Sequence, residues 1–316
     1  MTESAAAIES GLGAAVPQPF TSDAGQEDVL GRKQANLWGD AWRRMVRNKL
    51  ALIGMFVVIS FILIAIFAPL LAPYGESEVV DVRLAREGPS WQWPMGLDQN
   101  GRDIFSRMMY GARVSLLVGL VSYIIILCIA VPIGSIAGFF GGWVDNALMR
   151  VVDIVFTIPQ VLLVLMFVNW RGPGLTNIFI AIGIIGWVTE ARLIRGQFLT
   201  LREQDYIKAS RVAGGGGFFI IARHLLPNSL TPIIVAATFG IPTAIFTEAA
   251  ISFVGVGIRP PDASWGQMVG TAAQPQYVQN TPHMLLFPVL AIGLTMLGFT
   301  FLGDGLRDAL DVKGND

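Results

Sequence analysis

Six long stretches of this chain contain no charged side chain, and they limit its fold more than any other feature of the sequence. They cover residues 50–75, 114–144, 154–170, 172–189, 225–247 and 263–303. A helix needs roughly 20 mostly apolar residues to cross a bilayer. The last stretch is longer, but its polar, proline-containing part at 272–282 predicts that the sixth span begins near Met284. We therefore predict an all-α integral membrane protein with six transmembrane helices.

The composition agrees with a membrane location. Only 14% of the residues are charged, whereas soluble domains usually carry about 25%. The first apolar run begins near residue 50, which is too far into the chain for a cleavable signal peptide. The one cysteine, Cys128, cannot form a disulfide within the chain, and the net charge of −1 does not indicate nucleic-acid binding.

The sequence lacks the residues that several classes of enzyme require. His224 and His283 are the only histidines, and they fall on opposite sides of the predicted membrane, so they cannot share a metal ion. No nucleophile–base pair is evident. The glycine run at 214–217 lacks the Lys and Ser/Thr of a nucleotide-binding loop. We predict that this chain is not an enzyme and binds no metal or other cofactor itself.

The basic residues predict the orientation in the membrane. If the N-terminus is cytoplasmic, 15 Lys and Arg lie on cytoplasmic segments and 7 on external ones, together the 22 of the chain. Cytoplasmic loops carry the excess of basic residues in membrane proteins. We therefore expect both termini and the 206–223 segment in the cytoplasm, with 75–111 and 259–282 outside.

Changes in composition divide the chain into five parts. Residues 1–34 are predicted to be a disordered cytoplasmic tail, and 35–49 an amphipathic helix on the inner membrane surface. A simple extension of the first span is an equally good interpretation of 35–49. The remaining parts are the first transmembrane helix with its external loop (50–111), a core of five transmembrane helices (112–304) and a cytoplasmic C-terminal tail (305–316).

A charged and glycine-rich segment interrupts the apolar chain at 206–232. Thr200 and Glu203 have the spacing of a capping box, which predicts a short helix over 201–213. The glycines at 214–217 would end it, and a second helix over 218–226 would stop at Pro227. A solvated loop needs none of these devices, so we interpret the segment as a helix-turn-helix that docks a cytosolic partner.

This segment resembles the EAA loop of bacterial ABC importer permeases. The pattern appears as Lys208-Ala209-Ser210, then Gly214, then Leu225-Leu226-Pro227, and "RHLLPN" at 223–228 is typical of the second membrane subunit of dipeptide/oligopeptide importers. Stretches 96–120, 141–159, 260–266 and 301–311 resemble the same subfamily. The sequence departs from the pattern at Lys208, where the family has an acid. Glu203 or Asp205 could supply a carboxylate nearby.

The resemblance implies an ABC type I importer permease fold in the bacterial cytoplasmic (inner) membrane. It also implies a homologous permease subunit, two cytosolic ATPases that use ATP with Mg²⁺, and an extracytoplasmic solute-binding protein that delivers peptide. Import of nickel, haem or another small solute by the same fold remains an alternative, as does a membrane-embedded enzyme or an independent carrier. The implied ATPase-coupling residues are Asp205, Lys208, Ala209, Ser210, Gly214, Arg223, His224, Pro227 and Asn228.

Further candidates concern the pathway and the outer surface. Pro159, Glu190 and Glu248 are candidate translocation-pathway residues, because an ionisable group within a span is often functional. Alternatively, Pro159 only kinks its helix, Arg192 and Arg195 neutralise Glu190, and Glu248 has a structural partner. We expect Trp91, Trp93 and Trp265, which lie in the external segments, to meet the solute-binding protein. Aromatic residues at the headgroup level are the alternative.

Overall fold

The computed structural model describes residues 37–259 and 262–310, which are helical with no β-strand. The predicted disordered tail at 1–34 lies outside these residues. The helices are α1 (Leu37–Arg47), α2 (Lys49–Leu71), α3 (Ile104–Phe140), α4 (Gly142–Thr157), α5 (Gln160–Arg171), α6 (Leu175–Leu201), α7 (Asp205–Val212), α8 (Gly217–Phe253), α9 (Trp265–Ala272), α10 (Pro275–Asn280) and α11 (His283–Leu310).

Five of the six predicted spans are present as single helices, and a bent pair of helices stands at the place of the other. Within the described residues, α2, α3, α6, α8 and α11 are each long and apolar enough to cross a membrane, and α4 with α5 forms a sixth candidate bent by 81°. The bend falls at Ile158 and Pro159, which have extended backbone angles. Proline restricts the residue before it to such angles and cannot donate to the helix ladder. The sixth span begins at His283, as expected.

Two predicted boundaries are wrong. The second span begins at Ile104 rather than after 111, because Asp103 caps the helix by accepting from the Ser106 amide at 2.7 Å. The basic residue Arg107 is tolerated inside α3 because Asp98 lies between it and Arg102, 3.6 Å and 2.8 Å from their Nε atoms. At the other end, α11 continues to Leu310, so residues 305–310 belong to the helix and not to a tail.

The helix α1 is separate from the first span. Asn48 interrupts the helical run, and its side-chain oxygen accepts from the amides of Leu50 and Ala51 at the start of α2. Such a cap satisfies amides that have no partner in the first turn of a helix. The alternative of a continuous extension of α2 is therefore wrong. Whether α1 lies on the membrane surface stays a prediction.

Small residues allow the spans to approach closely. A Cβ atom added to Gly134 of α3 would lie 2.6 Å from the Ala191 carbonyl oxygen of α6, and one on Gly54 of α2 would lie 2.5 Å from the Gly298 carbonyl oxygen of α11. Helices in membranes pack through such small residues because lipid provides no hydrophobic drive for their association. These close contacts join α3 to α6 and α2 to α11, and α7 follows directly after α6.

Candidate functional site

The capping box predicted before the coupling segment is absent. Helix α6 continues through Thr200 to Leu201, and the Thr200 hydroxyl donates to the Gly196 carbonyl at 3.2 Å, one turn back. The next helix, α7, begins at Asp205 after Gln204, which makes no side-chain capping bond. A threonine hydroxyl can bond a preceding carbonyl inside a helix as well as cap one, and here the buried Phe198 holds this turn of α6 in the core.

The turn after α7 is the predicted glycine cap. Gly214 has a φ of 85°, a conformation that side chains with a Cβ rarely adopt. The Gly214 amide donates to the Arg211 carbonyl at 3.0 Å, and the Gly215 amide donates to the Ser210 carbonyl at 2.9 Å. These are the two bonds of a Schellman motif, which satisfies the last carbonyls of a helix.

The three glycines that follow Gly214 are not equivalent. A Cβ on Gly215 would lie 2.8 Å from the Ser210 carbonyl oxygen, whereas one on Gly216 would meet nothing within 4 Å. A Cβ on Gly217 would lie 3.0 Å from the ring of Phe139. Gly215 is therefore required by the close approach of two backbone segments, and only Gly216 lies in open space.

The prediction that a second short helix stops at Pro227 is wrong. The chain is helical from Gly217 to Phe253, and Pro227 lies inside this run. A π turn at Ile221–Leu225 precedes the proline, and the Leu226 amide bonds the Ile221 carbonyl five residues back. Proline crowds the carbonyl four residues before it; the wider π turn relieves that conflict. The coupling segment thus leads directly into the span α8.

Buried side chains attach this segment to the spans. Ile207 of α7 is fully buried in a cluster with Ile220 and Leu225 of α8 and Phe198 of α6. The guanidinium of Arg211 lies over the ring of Phe139, 5.1 Å from its centroid. The segment is therefore a packed element of the bundle, and a displacement of α7 would be passed to α6 and α8.

The opposite face of the segment is exposed. Asp205 and Lys208 are both exposed and form an ion pair at 3.6 Å. The Asn228 amide donates to the His224 carbonyl at 2.7 Å, and the His224 ring lies between those of Tyr206 and Phe219. The remaining predicted coupling residues Ala209, Ser210, Arg223 and Pro227 are exposed or half-buried.

Two exposed apolar residues were missed by the sequence analysis. The side chain of Val212 is 89% exposed and that of Phe218 is 84% exposed, on either side of the glycine turn. With Ile207 defining the buried face of α7, a residue five positions later falls well away from that face. The spacing of Val212 from Ile207 could therefore have predicted that Val212 is exposed.

The ion pairs near Glu190 correct one interpretation. Arg192 pairs with Asp153 at 2.7 Å, and Arg195 holds Asp145 through both guanidinium arms, so the two arginines join α6 to α4. Neither is paired with Glu190. The Glu190 carboxylate instead lies near the hydroxyl of Tyr123 on α3.

A cavity opens beside the bend between α4 and α5. Pro159, Gln160, Gly186 and Thr189 line it. The bend and the Gly186–Thr189 part of α6 therefore face one space, whereas Glu190, the next residue, is not among the lining residues. The assignment of Pro159 and Glu190 to a translocation pathway remains a prediction.

Glu248 has structural partners inside the chain. Its side chain is fully buried, and one carboxylate oxygen accepts from the hydroxyls of Ser252 at 2.7 Å and Ser264 at 2.8 Å. Ser264 caps α9 through a bond to the Gln267 amide. Glu248 does not reach the surface in this conformation, and its assignment to the translocation pathway stays a prediction. The hydrogen bond between Glu248 and Ser264 holds α9 against α8.

Two of the three tryptophans proposed for docking are buried. Trp265 is 1% exposed, and its indole donates to the Met108 carbonyl of α3 at 3.1 Å, while Trp93 is 5% exposed. Neither can reach a partner, because Trp265 is packed against α3 and Trp93 is buried within the outer loop. Trp91 is fully exposed. Among residues 37–259 and 262–310, no cluster of potential metal ligands occurs.

Comparison with known proteins identifies the family. Residues 130–313 match the binding-protein-dependent transport system inner membrane component, and residues 36–89 match the N-terminal transmembrane domain of oligopeptide transport permease C. A MetNI methionine ABC transporter, solved in inward-facing conformations, has the same fold with a TM-score of 0.53 at 20% identity, covering 65% of this chain and 97% of that one.

The relatives are permease proteins. The oligopeptide transport system permease protein OppC of Bacillus subtilis is 41% identical over 94% of this chain and 96% of its own. The dipeptide permease DppC of Alkalihalophilus pseudofirmus is 44% identical over 87% and 90%, and the glutathione permease GsiD of Pectobacterium atrosepticum is 40% identical over 87% and 91%. They confirm the prediction of a membrane permease subunit rather than an enzyme. The chain therefore belongs to the family of inner membrane components of binding-protein-dependent ABC transport systems.

Proposed function

We propose that this chain is one of the two permease subunits of an ATP-driven importer of dipeptides and oligopeptides. The observation that carries the proposal is the 41% and 44% identity, over nearly the whole chain, to an oligopeptide and a dipeptide permease. Nickel and haem have no such support. In this function the chain forms half of the translocation pathway, with Pro159 beside the cavity at the α4–α5 bend and Glu190 and Glu248 as further candidate pathway residues.

The remaining components follow from the family. A homologous permease subunit completes the pathway, and two cytosolic subunits hydrolyse ATP with Mg²⁺. A solute-binding protein outside the membrane delivers the peptide and contacts Trp91. Both termini and α7 face the cytoplasm in this arrangement, as the excess of basic residues favours.

The segment from Asp205 to Asn228 couples ATP hydrolysis to the spans. It offers an apolar pair, Val212 and Phe218, beside the charged pair of Asp205 and Lys208, and its buried face is attached to α6 and α8. Coupling between sites requires an element with two discrete positions. A short helix with a closed C-terminal turn moves as a unit, whereas a loose loop would absorb the motion.

Substrate choice tests this proposal directly. The complete complex is reconstituted in liposomes with its binding protein, and uptake of a dipeptide, a pentapeptide, glutathione, Ni²⁺ and haem is compared with and without ATP. We expect ATP-dependent uptake of the peptides. Uptake of Ni²⁺ or haem without uptake of any peptide would overturn the assignment, and uptake of glutathione alone would narrow it to that substrate.

A further inference from the structure

The helix α1 presents three different faces. Ala41 and Met45 are buried in a cluster that includes Ala309 of α11 and Ala51 of α2. A second face exposes Trp42 and Val46, which are 55% and 41% exposed. One face thus packs against α2 and α11, and another exposes a tryptophan and a valine.

The third face is strongly basic. Arg43, Arg44 and Arg47 are exposed on α1, Lys49 follows at the start of α2, and Asp40 is the one acidic residue in the sequence of α1. Within the part of the chain that the structure describes, none of these four basic residues forms an ion pair. Such a concentration of cations attracts anionic groups.

The position of α1 along the chain decides which anionic partner fits. Only Asn48 separates it from α2, a candidate span that exposes Leu50 and Ile53 from its first turn onward. A helix at this place in the chain is expected at the depth where hydrocarbon gives way to phosphate. Tryptophan is enriched at that depth, and guanidinium groups bind phosphate through two parallel hydrogen bonds.

We propose that α1 is a binding surface for anionic phospholipid headgroups, with Trp42 and Val46 at the level of the upper acyl chains and the arginines on the phosphates. A docking site on a cytosolic protein is the main competitor. It is disfavoured because the exposed apolar residues and the cations lie next to a membrane-spanning segment. This inference rests on the family assignment and not on the nature of the transported substrate.

Quenching of Trp42 fluorescence by brominated lipids tests the proposal. The complete complex is placed in nanodiscs of phosphatidylglycerol and phosphatidylcholine at equal mole fractions, with bromine on the acyl chains of one or the other. The Trp42 signal is the difference from the Trp42→Phe complex, because the chain has 8 tryptophans. We expect brominated phosphatidylglycerol to quench more strongly, with a local enrichment of roughly fivefold, the preference of one basic residue near an anionic surface.

Two triple variants separate charge from shape. Replacing Arg43, Arg44 and Arg47 by Gln should lower the ratio clearly, leaving Lys49 as the one cation of this face, whereas replacing the same residues by Lys should retain most of the ratio, because the attraction is largely electrostatic. Equal quenching by both lipids in the wild-type complex would overturn the proposal. So would a Gln variant that loses its ATPase subunits while keeping the lipid preference, since that result would indicate a protein contact. If the Gln variant does not assemble, the quenching ratios of the wild-type and Lys complexes test the proposal: a ratio near one in both would overturn it.

Discussion

The carboxylate of Glu248 accepts a 2.8 Å hydrogen bond from the hydroxyl of Ser264, which joins the last turns of the span α8 to the start of α9. Ser264 in turn accepts from the Gln267 amide. A carboxylate far inside a span usually suggests a functional site. Here both hydroxyl partners, Ser252 and Ser264, belong to the same chain, and the hydrogen bonds hold α9 in place.

Replacing Glu248 by Gln is expected to preserve transport. The amide oxygen of glutamine can accept the bonds from Ser252 and Ser264, whereas leucine would leave both hydroxyls without their acceptor. We expect Glu248→Leu to lower the free energy of unfolding by roughly 1–3 kcal/mol and Glu248→Gln to change it much less. Thermal unfolding in detergent and peptide uptake are the measurements. Loss of uptake in Glu248→Gln at unchanged stability would support the pathway role.

The pair of Arg195 and Asp145 is expected to hold α4 against α6. Bidentate arginine–carboxylate pairs are among the stronger hydrogen-bonded contacts, and this one is partly buried. Asp145→Ala and Arg195→Ala should each destabilise the protein by roughly 1–3 kcal/mol, and the double variant should cost less than their sum. A double-mutant cycle in unfolding measures the coupling. Additive effects would mean that the pair contributes nothing to stability.

Trp91 and Trp265 are expected to fail in different ways. Trp91→Ala should leave the melting temperature unchanged and weaken stimulation of ATP hydrolysis by the loaded binding protein, because the residue is fully exposed. Trp265→Ala should lower the melting temperature, since truncating a buried tryptophan typically costs about 3–5 kcal/mol. Unchanged stimulation in Trp91→Ala would remove the last of the three tryptophans from the proposed docking surface.

A methyl group on Gly215 is expected to disturb the turn more than one on Gly216. The added carbon would collide with the Ser210 carbonyl in the first case and meet nothing in the second. Gly215→Ala should therefore reduce peptide-stimulated ATP hydrolysis while Gly216→Ala remains close to wild type. Equal activity in the two variants would show that the backbone at Ser210 yields without consequence.

The spans and the glycine turn could be predicted from the sequence because both depend on local chemistry. Hydrophobic length alone predicts a transmembrane helix, and Gly214 follows a helical pattern at the place where a cap needs positive φ. The helix boundaries around the coupling segment could not be predicted in this way. Thr200 fits a cap by its spacing, but packing of Phe198 extends α6 through it, and the π turn before Pro227 depends on how α8 leaves the bundle.

Burial and pairing also required the structure. Trp91, Trp93 and Trp265 look alike in sequence, and only the folding of the outer loop and of α9 against α3 separates the exposed one from the buried two. Arg192 and Arg195 are neighbours of Glu190 along the chain, yet helical geometry directs them to Asp153 and Asp145 on α4. Sequence distance is a poor guide to such partners because residues two and five positions after Glu190 lie on other sides of the helix.

In the proposed function, the turn at Gly214 sets the direction of α7 against the ATPase. Gly214→Val places a β-branched residue at a φ of 85°, whereas Gly216→Val places it in extended backbone with open space around it. The strain of roughly 1–2 kcal/mol in a left-handed conformation should re-aim α7 without affecting insertion of the spans. The same substitution at the two positions therefore gives a matched pair.

The decisive measurement is peptide-stimulated ATP hydrolysis and retention of the ATPase subunits in purified complexes of these two variants. We predict that Gly214→Val retains its partner permease but loses stimulated hydrolysis by roughly tenfold, as expected for strain of this size, or releases the ATPases. Gly216→Val should remain near wild type. Normal stimulation and full ATPase retention in Gly214→Val would contradict the account, because the segment would then be a passive connection between two spans.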